Sequence, residues 1–349
     1  MSNAELARRS AVVYGCAGPT LGPEERAFFR AARPLGFILF GRNCRAPAQV
    51  RRLVDALRDA VEDADAPILI DQEGGRVQRL GPPHWRRRPP ARLFGDVARG
   101  DADAGAAAAR LGARLIAADL AALGITVNCA PVLDLPVAGS HGVIGDRAFA
   151  ADGAAAAALG RAFCTGLLEG GVLPVIKHIP GHGRARVDSH LELPRVDAPA
   201  AALASDFAPF AALNDMPLAM TAHVLYHALD AGNPATLSAA VIAGTVRGRI
   251  GFDGVLVSDD ISMNALSGAV PRRAARALAA GCDVVLHGNG EMAEMTSIAD
   301  AVGTLAAPAA ARWRAAAARR RTPGDLDAEA AERSLRSLTR AGIAQADGP

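Results

Sequence analysis

Lysine is almost missing from this chain. Of the 38 Lys and Arg residues all but Lys177 are arginine, in a sequence of 349 residues. Charge of one sign is missing too: the formal net charge is +2, which removes the electrostatic case for nucleic acid or an acidic membrane surface as partner. The five cysteines, Cys16, Cys44, Cys129, Cys164 and Cys282, are odd in number and never spaced C-x-x-C. That spacing excludes a disulfide framework or a zinc cluster and favours buried thiols in a reducing compartment. No apolar run approaches the length of a membrane span. The arginines and short apolar run of "LARRSAVVYGC" read as a first β-strand rather than a signal segment. A cytoplasmic location with no membrane partner is the expectation. The first strand-to-helix turn, "GCAGPTLGP", lacks G-x-G-x-x-G, which disfavours a dinucleotide fold.

What is present is regular. Half the residues are hydrophobic, enough for a sizeable core. Eight short apolar runs read as strands: 11–15, 36–40, 67–71, 125–132, 173–178, 217–223, 254–260 and 283–287. Their apolar residues are continuous rather than alternating, the pattern of strands covered on both faces. Alanine- and leucine-rich segments of helical length lie between them, with glycine at helix ends such as Gly124 and Gly170. Eight strand–helix alternations predict an α/β fold, a single-domain (β/α)8 barrel, over residues 1–307. Residues 308–349, rich in alanine and arginine, predict a C-terminal helical extension: one helix around Trp313 and another near 327–340, packed on the barrel or partly flexible.

In such a barrel the chemistry sits at the C-terminal ends of the strands. Six of the eight predicted strands end in, or lead into, titratable residues: Asp71, the Asp146–Arg147 loop, Lys177–His178, His223, Asp259–Asp260 and His287. By strand alternation Asp259 and Asp260 face opposite ways, and the sequence leaves open which enters the barrel mouth. His178, His182 and His190 have spacings that a cation could use, but Lys177 would set a fixed positive charge beside it, and no metal or other cofactor is expected. In "DSH", Asp188 and His190 stand two apart. A carboxylate beside an imidazole orients it and raises its proton affinity, which makes a working acid/base.

The segments "DQEGGRVQR", "VIGDRAF", "KHIPGHGRARVDSHLELP" and "VSDDISM" resemble the signature segments of glycoside hydrolase family 3. The likeness is to its single-domain β-N-acetylglucosaminidases of bacterial peptidoglycan recycling, over about residues 10–290 and in the same order. It implies a retaining exo-β-N-acetylglucosaminidase. Asp259 would be the nucleophile, His190 the general acid/base and Asp188 its tuner, while Asp71, Arg79, Arg147, Lys177 and His178 would bind the sugar. The implied partner is a small-molecule substrate, an N-acetylglucosaminyl muropeptide. Retaining glycosidases normally use two carboxyl groups, so Glu73 and Glu192 are the rivals of His190. Glu73 belongs to the sugar-binding segment and Glu192 lacks a tuner. Phosphate in place of water as acceptor, a β-glucosidase or xylosidase specificity, and a barrel that only binds sugar are the competing functions. The "PGHG" stretch is expected to be a hinge, and "PPHWRRRPPAR" an exposed basic loop or a contact for an anionic aglycone.

Overall fold

A computed structural model describes residues 3–189 and 191–346. Eight parallel strands close into a barrel in sequential order: β1 (Ser10–Gly15), β2 (Pro34–Leu39), β3 (Ile68–Ile70), β4 (Val127–Asn128), β5 (Leu173–Ile179), β6 (Leu218–Thr221), β7 (Val255–Asp260) and β8 (Val284–His287). Each matches one of the eight apolar runs. β4 is far shorter than the run that predicts it. Pro131 has no N–H to give the ladder, and past Asn128 the chain follows β5 through isolated bonds, Val175 N–H to Ala130 O and Lys177 N–H to Pro131 O.

The continuous apolar strands serve two cores. Val13, Leu69, Val127, Val175, Val255, Val257 and Leu286 fill the barrel interior. Their strand neighbours Val12, Ile68, Ile70, Ile176, Leu256 and Val285 pack outward with Leu53, Leu57, Leu120 and Phe163 of the surrounding helices. Odd residues of β5 up to Lys177, and of β7 up to Val257, therefore point inward and even ones outward; past Lys177 the register of β5 shifts, and Ile179 packs in the outer core. At the N-terminal end of the barrel, Ala309, Trp313 and Ala316 of helix Ala307–Ala318 join the interior cluster. Their spacing puts all three on one helical face, and Trp313 caps the barrel floor.

Helix Ala91–Gly100 was not anticipated, and it begins inside the arginine-rich stretch. Arg88 there is not an exposed basic residue. Its guanidinium is buried between Asp119, at 2.7 Å, and Glu332 of the C-terminal helix Ala328–Ala346. That helix lies along Ala91–Gly100 and Ala102–Ala121. The segment between β6 and β7 forms a helix over Val241–Arg249, wound more loosely than an α-helix, with Ile250 N–H reaching back five residues to Thr245 O. No helix of the described residues is long and apolar enough to cross a membrane.

Candidate active site

A cavity of about 360 Å³ opens at the C-terminal end of the strands. Asp71, Arg79, Arg147, Lys177, His178 and Asp259 all line it, together with Glu73, His182, Ser189 and Met220. The order of strand residues explains the convergence. Lys177 continues the inward row of Leu173 and Val175, and Asp259 continues that of Val255 and Val257. Asp260, past a register shift that follows Val257, also lines the cavity, whereas His223 and His287 fall on the outward rows. His223 and His287 are fully buried, and neither lines the cavity. The expectation that all six strand ends feed one site is corrected for these two.

The charged floor is a closed network. Lys177 Nζ lies 2.7 Å from Asp71 Oδ1 and 2.8 Å from Glu73 Oε1. Arg147 grips Glu73 through both carboxylate oxygens at 2.8 Å, and Arg79 Nη2 reaches Asp71 Oδ2 at 3.3 Å. Burial by itself would raise the proton affinity of both carboxyls. The cations outweigh it, holding Asp71 far below the carboxylate range and Glu73 down at about 2. The two carboxylates in turn hold Lys177 protonated against the cost of its burial. An ammonium has three donors; two are engaged, and among the described residues the third N–H of Lys177 has no partner and is open to a ligand. Glu73, doubly gripped and strongly acidic, is a poor proton donor. Glu192 is exposed and does not line the cavity.

Local sequence chemistry builds this floor. Asp71 and Glu73 bracket the start of a tight hairpin, Gln72–Gly74 with Val77–Gln78. Gly74 and Gly75 turn it with φ of 93° and 58°. A Cβ on Gly74 would meet Pro89 O at 2.2 Å, so the pair admits no larger residue. The Gln72 amide then ties the hairpin down, accepting from Arg79 and Leu80 N–H, while Gln72 and Asn128 exchange two hydrogen bonds at 3.0 Å.

The two aspartates of β7 differ in occupation. Asp260 Oδ1 is taken by Ser262 N–H and Oγ–H and by Gly288 N–H, which makes it a staple of the loop. Asp259 Oδ1 accepts one bond, from Asp260 N–H at 2.8 Å, and among the described residues Oδ2 has no hydrogen-bond partner. Burial would raise the Asp259 carboxyl, but His223, His178 and the Asp260 N–H hold it below its ordinary value. It is therefore an ionised carboxylate with an open oxygen facing the cavity. His223 props this strand end from behind: its Nε2 lies 3.0 Å from Asp260 O. A carbonyl only accepts, so Nε2 carries the hydrogen.

Asp134 was not singled out in the sequence, although it is the one charge in the apolar stretch "APVLDLP". It is 1% exposed and takes His178 Nδ1 at 2.7 Å, His178 N–H and His182 N–H. A carboxylate on Nδ1 fixes the ring and leaves Nε2 for a ligand. The peptide joining Lys177 and His178 is cis.

Residues 180–183 are buried, which corrects the hinge expectation. A Cβ on Gly183 would sit 1.8 Å from Leu135 O, so this glycine serves close packing rather than freedom. Beyond it, Arg184 pairs with Asp206 at 2.5 Å. Asp188 is half-buried and not among the cavity's lining residues, whereas Ser189 is 4% exposed and lines it. His190 lies outside the described residues.

Comparisons with known proteins agree with the barrel fold. The model of the glycosyl hydrolase family 3 N terminal domain matches residues 25–320. The beta-hexosaminidase of Alkalilimnicola ehrlichii is 42% identical over 280 residues, 79% of each chain. That of Methylococcus capsulatus is 40% identical over 309 residues, 87% of this chain and 90% of that protein. Among solved structures, NagZ from Neisseria gonorrhoeae in complex with N-trifluoroacetyl-D-glucosamine has a TM-score of 0.82 at 32% identity, covering 97% of this chain and 98% of that one. A family 3 beta-N-acetylglucosaminidase from Paenibacillus sp. str. FPU-7 has a TM-score of 0.84 at 30% identity over 97% of this chain and 68% of that one.

Proposed function

This chain belongs to glycosyl hydrolase family 3, and on that premise we propose how its cavity works as an exo-β-N-acetylglucosaminidase, with the residues in stated roles. The supporting observation is the ionised Asp259 carboxylate, one oxygen unengaged, above a floor of fixed ion pairs. The sugar sits over Asp71, Arg79, Arg147, Lys177 and His178. The third N–H of Lys177, His178 Nε2 and the carboxylate of Asp71 offer donors and acceptors to its hydroxyls. Asp259 Oδ2 attacks C1 as the glycosidic C–O bond breaks, and His190 gives a proton to the departing oxygen. A covalent glycosyl-aspartate results. His190, now neutral, takes a proton from water, which attacks C1 and returns Asp259 as a carboxylate, with net retention. Asp188 raises the proton affinity of His190 for both steps.

The terminal residue removed is N-acetylglucosamine β-linked to an anhydro-muramoyl peptide, and the reaction belongs to the cytoplasm. Two features favour the two-step route through a loop acid/base. Glu73 is committed to Arg147 and Lys177, and Glu192 is exposed outside the cavity, so neither carboxyl rival is placed to do the work of His190.

The test is Asp259→Ala assayed with p-nitrophenyl N-acetyl-β-glucosaminide, where kcat/KM is expected to fall by about a thousandfold or more. A fluorosugar should add its mass to the peptide carrying Asp259 in the parent protein. Near-parental turnover, or label on another residue, would sink the assignment. Sugar 1-phosphate formed in phosphate buffer would replace water as acceptor, and equal turnover of substrates lacking the acetamido group would replace the specificity.

A further inference from the structure

His182 does something the scheme above does not use. It is 3% exposed, it lines the cavity, and its Nε2 lies 3.1 Å from Ser189 Oγ. The base of this side chain is rigidly held. His182 N–H donates to Asp134 Oδ1 at 2.6 Å, on the carboxylate that also orients His178. Tyr226 Oη–H holds the preceding carbonyl, Gly181 O, at 2.5 Å, and Gly183 is packed hard against Leu135 O. The ring stands against that of His178, centroids 5.6 Å apart.

Ser189, at the other end of the contact, directly follows Asp188. The first half of this loop has its own ties: Arg184 to Asp206, and His141 N–H to Ala185 O at 2.8 Å. His182 reaches across to the second half. Burial, and next the neighbouring His178, push its protonation down to about 4, so near neutral pH the ring is uncharged. A neutral imidazole has one donor and one acceptor nitrogen, and a hydroxyl can answer either. The contact is thus satisfied in both tautomers and does not need a charge that the buried site would penalise.

We infer that His182 is a positioning residue, a fixed post whose hydrogen bond to Ser189 holds the 186–189 loop segment against the cavity and so sets the place of Asp188. The consequence for turnover rests on the reading that this loop carries the acid/base; the consequence for loop order does not. The test therefore has two arms, on Ser189→Ala, Ser189→Thr and the parent protein. In the first, native-state trypsin cleavage after Arg184 and Arg186 is followed by mass spectrometry. Losing one neutral hydrogen bond is expected to speed cleavage there by roughly three- to tenfold in Ser189→Ala, with Ser189→Thr returning it to the parental rate. Equal rates in all three overturn the inference.

The second arm compares kcat/KM on chitobiose with that on an activated dinitrophenyl N-acetyl-β-glucosaminide. A displaced acid catalyst is expected to slow the poor leaving group about tenfold more than the activated one, an effect that general loss of folded protein cannot produce. Asp188→Asn is the control. If it lacks this leaving-group dependence, the acid/base reading fails, and the trypsin arm still decides the role of His182.

Discussion

Lys177 stands out in the sequence because arginine occupies every comparable position, and its surroundings explain why at the scale of a single residue. Its ammonium lies between two carboxylates at 2.7 and 2.8 Å with a side chain 3% exposed. A planar guanidinium is broader and would have to push Asp71 and Glu73 apart. Lys177→Arg is expected to raise KM for the aryl glycoside by about tenfold or more, with far-UV circular dichroism unchanged. Full activity would refute the steric account. Lys177→Met is a harsher change, because it leaves two buried carboxylates without their shared cation. It is expected to cost about 3–5 kcal/mol in denaturant unfolding. Glu73 was read from the sequence as a rival acid within the sugar-binding segment; its grip on Arg147 and Lys177 is a pairing that residues 74 and 104 positions away in the chain cannot announce.

At the scale of elements, the strands were legible because each is a continuous apolar run, and the helices because alanine and leucine dominate them. Helix Ala91–Gly100 was not, since it starts at a Pro-Pro pair in a stretch dense with arginine. Those arginines belong to helix docking. Arg88 holds Asp119 and Glu332 together, and this pairing fastens the C-terminal helix Ala328–Ala346 to the barrel's helical layer. Glu332→Ala leaves that guanidinium buried with half its partners. It is expected to lower stability by about 1–3 kcal/mol in urea unfolding. At 25 °C kcat should be unchanged, because neither Arg88 nor Glu332 lines the cavity. A large drop in kcat with stability intact would show that the C-terminal helix serves the site and not only the fold.

At the scale of the whole molecule, buried titratable groups link the fold to pH. His182 protonates at about 4 in the folded chain, against an ordinary 6.5. As pH falls through that interval the unfolded chain takes up a proton that the folded one refuses, so stability drops. Glu73, at about 2 against an ordinary 4.5, repeats the effect at lower pH. Its contribution is complete above about 4.5 and is lost as pH falls toward 2. Melting temperature should therefore decline in two stages below pH 6.5, each worth of the order of 1–3 kcal/mol. His182→Gln is expected to shrink the upper stage, to which His223, also held below its ordinary value by burial, contributes as well, and to leave the lower one. A profile identical to that of the parent protein between pH 6.5 and 4 would remove His182 as the cause.

The apolar runs and the long motif segments were enough, by themselves, to determine the eightfold alternation, the barrel and the family. They also indicated which segments meet at the cavity, since a charged residue ending an apolar strand has little reason to be there except at the barrel mouth. What they could not determine is which way each strand-end residue faces. Every barrel strand is apolar on both sides, so the period of two leaves no mark to separate interior from exterior. Only closure of the barrel assigns the parity. Asp259 and Lys177 then fall inward with Val257 and Val175, while His223 and His287 fall outside the cavity. Tertiary structure likewise decided that Asp134 holds two histidines from one loop and that "PGHG" is a packed anchor. Both depend on contacts between distant segments, and such contacts exist only once the chain has closed on itself.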